Sequence, residues 1–79
     1  MEQKHKVKVY STPYCPYCRV TKEFLRERNI KFEEIDVSED QEAAKEMVHL
    51  SKQVGVPVIV IDEKVIVGYD EPALKAALK

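Results

Sequence analysis

Apolar and polar positions along the chain divide it into seven segments of changing period. Lys6 to Ser11 alternates around Val7 and Val9 and carries β-branched residues, which predicts a strand ended by Thr12-Pro13. From Pro16 to Arg28 the period lengthens. Tyr17, Val20, Phe24 and Leu25 recur at helical spacing, with Arg19, Lys22, Glu23, Arg26 and Glu27 on the other face, the pattern of an amphipathic helix covering a sheet. Asn29 is a candidate C-terminal cap, and Ile30–Val37 returns as a second strand, parallel to the first through a right-handed helical crossover.

Ser38-Glu39-Asp40-Gln41 matches a capping box, with Ser38 as N-cap and Gln41 reaching back. It opens a helix to about Lys52 that carries Ala43, Ala44, Met47, Val48 and Leu50. Pro57–Ile61 and Val65–Val67 flank Asp62-Glu63-Lys64, a connection short enough for an antiparallel hairpin. Pro57 would remove a ladder donor from a central strand, so it belongs at the strand's first residue. Asp70-Glu71-Pro72 then supplies a cap, a favourable charge and an early proline to a last helix in which Ala73, Leu74, Ala77 and Leu78 share a face.

Composition narrows what such a chain can do. Seventy-nine residues make a single domain, 1–79, of a size that buries only roughly 60% of its unfolded surface. The net charge is −1 with 34% charged residues of mixed sign and no block of five like charges, which argues against nucleic acid or an anionic membrane as main partner. Lys4, Lys6 and Lys8 read as the solvated positions of the first strand. No apolar stretch approaches the roughly 20 residues of a membrane span, and Met1-Glu2-Gln3-Lys4 has no apolar core of a signal peptide. A cytoplasmic monomer is expected.

The chemistry concentrates at Cys15-Pro16-Tyr17-Cys18, which holds the only two cysteines. A cysteine at the first turn of a helix meets backbone N–H groups without intrahelical partners and the positive end of the helix dipole, conditions that favour a thiolate. Cys18 lies close to one turn further on, within reach of the Cys15 sulfur but deeper in the helix. Cys15 is therefore the expected nucleophile and Cys18 the resolving thiol. A zinc site would need a second ligand pair, and His5 and His49 are too far apart in sequence to form one. A permanent staple gains little from so short a loop and is out of place in a reducing compartment. Thiol–disulfide exchange remains. Around it, Pro16 suits a first helical turn by its fixed φ; Tyr14 is the expected exposed aromatic wall; Tyr17 is either cover for the sheet or a substrate contact.

Cys15-Pro16-Tyr17-Cys18, the Val56-Pro57 step before an apolar run, and Gly68-Tyr69-Asp70 before the last helix together resemble the glutaredoxins, over nearly the whole chain from Val7 to about Leu78. The resemblance implies the minimal thioredoxin fold, an α/β order β-α-β-α-β-β-α with a four-stranded mixed sheet flanked by three helices. It implies a cis Val56–Pro57 bond facing the cysteines, with Val56 turned outward and offering its backbone to an extended substrate. It also implies a site for the γ-glutamyl end of glutathione at Gly68-Tyr69-Asp70, although a turn glycine followed by an N-cap accounts for the same residues. Gln53 and Lys52 are candidate partners for the glycyl carboxylate. Three positions depart from the familiar glutathione-binding pattern: Val67-Gly68 stands where many members have two glycines, Gly55 where they have threonine, and Thr12 where they have lysine. The single-glycine form looks more like the branch that takes electrons from thioredoxin reductase.

The resulting expectation is a disulfide oxidoreductase acting on protein or mixed disulfides, recycled by glutathione or by a thioredoxin reductase, with no metal and no permanently bound cofactor. The alternative from another class is an iron–sulfur cluster carrier using Cys15 and glutathione; the proline after the first cysteine is commoner in redox-active members, and cluster carriers usually have a single cysteine.

Overall fold

A computed structural model describes residues 5–78. Met1–Lys4, where a signal-peptide core was not found and where Lys4 was read as a solvated strand position, lie outside the described residues. The elements run β1 (Val7–Ser11), α1 (Pro16–Glu27), β2 (Glu33–Asp36), α2 (Gln41–Ser51), β3 (Val58–Ile61), β4 (Lys64–Val67) and α3 (Glu71–Ala77), the predicted order. The sheet order is β2-β1-β3-β4. β1 is parallel to β2, and both β1–β3 and β3–β4 are antiparallel, so the sheet is mixed.

The period-2 alternation sorts the core into two layers. On one face Val7, Val9, Ile59, Ile61 and Ile66 meet Phe24 and Leu25 of α1 and Leu74 and Ala77 of α3. On the other, Tyr10 and Val58 meet Ala43 and Met47 of α2. Val9 pairs with Glu34 and Tyr10 with Ile35, and residues directly opposite share a face. Glu34 therefore looks towards α1 and Ile35 towards α2.

Five local expectations are corrected. α1 is turned relative to the predicted stripe: Cys18, Thr21, Phe24 and Leu25 are buried, while Tyr17 is 65% and Val20 40% exposed. At about 100° per residue the buried positions centre on the line through 18, 21 and 25, and Val20 falls to its side; Tyr17 lies on nearly the same line as buried Phe24 and is exposed in the first turn of the helix. In the same way α2 buries only Ala43 and Met47, leaving Val48 and Leu50 at its margin. β2 begins at Glu33 rather than Ile30, because α1 ends in a Schellman motif: Asn29, at φ 57°, sends its N–H to the Arg26 carbonyl (3.0 Å), and the Ile30 N–H goes to the Leu25 carbonyl (3.0 Å). Asn29 thus stops the helix one residue beyond the cap Arg28, and Ile30 and Phe32 pack against the α1 layer without joining the ladder.

The N-cap of α2 is Asp40, whose Oδ1 accepts from the Ala43 N–H at 3.1 Å. Ser38 is taken by Asp36, whose Oδ1 accepts from both the Ser38 N–H (2.9 Å) and its hydroxyl (2.5 Å). A carboxylate two residues upstream outcompetes a box that must reach back from Gln41. Lys64 belongs to β4, opposite Ile61, so the hairpin turn is Asp62-Glu63 alone. Asp62 has φ 57°, a conformation Asp tolerates better than most residues.

Candidate functional site

Cys15 is itself the N-cap of α1, with extended backbone (φ −99°, ψ 112°), and its Sγ accepts from the Cys18 N–H at 3.2 Å. A sulfur thus occupies the place where Ser or Asp oxygen normally satisfies an orphan helix donor. Pro16 follows at N1 and loses no hydrogen bond there. Both thiols are free, Cys15 half-buried and Cys18 fully buried. Burial, and then the hydrogen bond with Cys15, push the Cys18 thiol up to about 12, against a backbone hydrogen bond from Thr12 and the charge of Lys22. The two sulfurs are thereby differentiated: one is accessible and faces a donor, the other is sequestered as a thiol.

The second wall of the site comes from the far end of the sequence. The Val56–Pro57 peptide bond is cis, as the resemblance implied, and the Val56 carbonyl accepts from the Cys15 S–H at 3.7 Å. The Val56 carbonyl thus faces Cys15, and its side chain is not turned outward. It is half-buried and packs against the α2 layer beside Tyr10 and Val58. Pro57 is fully buried, and its carbonyl accepts from the Gly68 N–H at 2.8 Å, which ties Gly68 to the same end of the sheet. Gly68 has φ 76° with open space where a Cβ would stand, so the position needs glycine for its backbone.

The remaining candidates divide. Tyr14, 90% exposed, lines a groove of about 500 Å³ with Pro13, Cys15, Pro16, Arg19 and Val20. Tyr17 is on the surface next to Cys18 in the chain, which resolves its two readings against sheet cover. Tyr69 is turned into the fold, its ring edge-on to Phe24 at 6.1 Å and 73°. Asp70 caps α3, its Oδ1 accepting from the Ala73 N–H at 3.2 Å. Gln53 is exposed in the loop after α2, where its backbone brackets the Ser51 hydroxyl; Lys52 is the left-handed C-cap of that helix. Among the described residues no group of three His, Cys, Asp or Glu could hold a metal ion, and no helix is long and apolar enough to cross a membrane.

Sequence reasoning placed Lys22 on the solvated face. Its side chain is only 17% exposed and its Nζ lies 2.5 Å from Glu34 Oε2. The signal was present in the four-residue spacing from Cys18, but its significance needed the sheet.

A sequence model of the family "Glutaredoxin" matches residues 7–66. The chain is 51% identical over 65 residues to the uncharacterized glutaredoxin-like 8.6 kDa protein in the rubredoxin operon of Clostridium pasteurianum, covering 82% of this chain and 87% of that one. It is 32% identical to glutaredoxin 3 of Escherichia coli, covering 82% and 78%. The crystal structure of the Archaeoglobus fulgidus glutaredoxin superposes with a TM-score of 0.86 at 30% identity, covering 96% and 88%. A capping cysteine, a buried partner one turn on and this match over most of the length lead to one assignment: the chain belongs to the glutaredoxin family.

Proposed function

We propose that the protein reduces protein or mixed disulfides by a dithiol cycle. The Cys15 thiolate attacks a substrate sulfur, forming a mixed disulfide and releasing the first substrate thiolate. Cys18 then attacks the Cys15 sulfur, forming the Cys15–Cys18 disulfide and expelling the second. The protein loses two electrons and the substrate gains them; an external reductant returns the pair. The observation that carries this reading is the Cys18 N–H directed at Cys15 Sγ, since a donor at that sulfur stabilises the thiolate that attacks the substrate. The Val56 backbone is the edge along which an extended substrate segment lies.

Thioredoxin reductase is the favoured reductant, from Val67-Gly68, Gly55 and Thr12 at the three divergent positions, with glutathione second. The cytoplasm suits a cycle that needs a continuous supply of electrons. Offering the oxidised protein either thioredoxin reductase, or glutathione with its reductase, and following NADPH tests both points: faster consumption with thioredoxin reductase is expected, and none with either would overturn the proposal.

A further inference from the structure

Cys18 must attack as a thiolate, yet it is sealed at 0% exposure, and a buried anion needs a compensating group. The groups facing it are few. Cys15 approaches from the loop, and Thr12, the residue after β1, through its backbone hydrogen bond. β3 and α3 present apolar Ile59 and Leu74 to this layer. β2 contributes Glu34, and Asp36, opposite Ser11, which is occupied by Ser38. The cation is Lys22, four residues after Cys18 on α1 and so a neighbour on the same helix face, with Cβ atoms about 5–6 Å apart. It is held there: Glu34 Oε2 takes the Lys22 ammonium at 2.5 Å and the Ser11 hydroxyl at 3.5 Å, joining α1, β1 and β2 next to the buried thiol.

We propose that Lys22 is a positioning residue for the resolving step: anchored by Glu34 on the α1 face of the sheet, its ammonium stabilises the Cys18 thiolate as that sulfur attacks Cys15, and the Glu34 carboxylate limits the effect. The inference rests on the dithiol reading and deepens it. In the balanced step the Cys18 S–H bond is lost, the Cys15–Cys18 bond forms, the Cys15–substrate S–S bond breaks, and the departing substrate thiolate takes up the proton that Cys18 gave to solvent.

Stopped-flow mixing with Ellman's reagent reads both half-steps, because a first chromophore leaves on attack by Cys15 and a second on resolution by Cys18. A tenfold drop in thiolate fraction is partly returned, about threefold, by the greater nucleophilicity of a more basic thiolate. Lys22→Gln should therefore slow the second phase about threefold across neutral pH and leave the first unchanged, Lys22→Arg should keep the native rate, and Glu34→Gln should quicken the second phase about threefold. The opposite signs are decisive, since both neutral variants break the same ion pair and a purely structural role would move them together. Second phases that shift in the same direction, or do not shift, overturn the role of Lys22 while leaving the dithiol cycle standing. Absence of any second phase in the native chain overturns both.

Discussion

The Cys18 N–H donates to the Cys15 sulfur across 3.2 Å, so the backbone of the resolving residue supports the nucleophile while its own thiol stays buried. Iodoacetamide should then discriminate sharply between them. Cys18 is closed to solvent and its thiol is pushed up to about 12 by burial and by Cys15, so near neutral pH Cys15 should be labelled at least about a hundredfold faster. A brief pulse on the reduced protein followed by peptide mass spectrometry reads the ratio; equal labelling would reverse the two roles.

Replacing Cys18 by serine removes resolution but not attack. Cys18→Ser should lose reduction of protein disulfides and accumulate a stable mixed disulfide through Cys15, visible as a mass adduct that dithiothreitol removes. Native turnover of protein disulfides by this variant would show that resolution proceeds without Cys18.

Tyr14 stands 90% exposed in the groove beside Cys15, an arrangement suited to meeting a protein partner rather than to holding the fold. Tyr14→Ala should lose about 1 kcal/mol of contact, a factor of about five in kcat/KM for a protein disulfide. Its reaction with Ellman's reagent should be unchanged, and equal loss with both substrates would contradict the contact.

On the opposite face Tyr10 is buried and its hydroxyl donates to Glu46 Oε1 at 2.5 Å. Burial first, then Glu46, raise its ionisation above the usual value of 10.0. A group raised on folding contributes stability that is complete below its unfolded pKa and is lost as pH climbs past it. The native chain should therefore weaken above about pH 10, and Tyr10→Phe should weaken less there while costing about 0.5–1.5 kcal/mol at neutral pH. Urea midpoints at the two pH values test both halves.

At the hairpin, Asp62 accepts from His5 Nδ1 at 2.6 Å and from the Lys6 N–H at 3.0 Å, and its carboxyl is held below the usual range, first by His5 and then by Lys6. For a lowered carboxyl the contribution is present above the unfolded pKa, near 3.9, and is lost as pH falls through the folded value. Asp62→Asn, which tolerates the same left-handed backbone, should flatten the acid limb of a thermal-stability profile. An unchanged limb would show that this tie does not contribute.

Local chemistry was legible in the residues themselves. The alternation around Val7 and Val9, the cysteine pair opening a helix, Asn29 as the helix stop and Asp70 as a cap all act within a few positions, so propensity and capping decided them. The element order followed. Short-range competition already blurred the picture at Ser38, which Asp36 claims and Asp40 replaces as cap. What the chain could not display was rotation and distance. The sheet turned Val20 outward and drew Cys18, Thr21 and Lys22 in, because the buried stripe of a helix is set by the surface it lies on. The Val56 carbonyl reaches Cys15 from 41 residues away, and Glu34 reaches Lys22 from a neighbouring strand. Those contacts exist only once β1 has paired with both β2 and β3, so the tertiary structure alone assembled the site around the motif that the sequence announced.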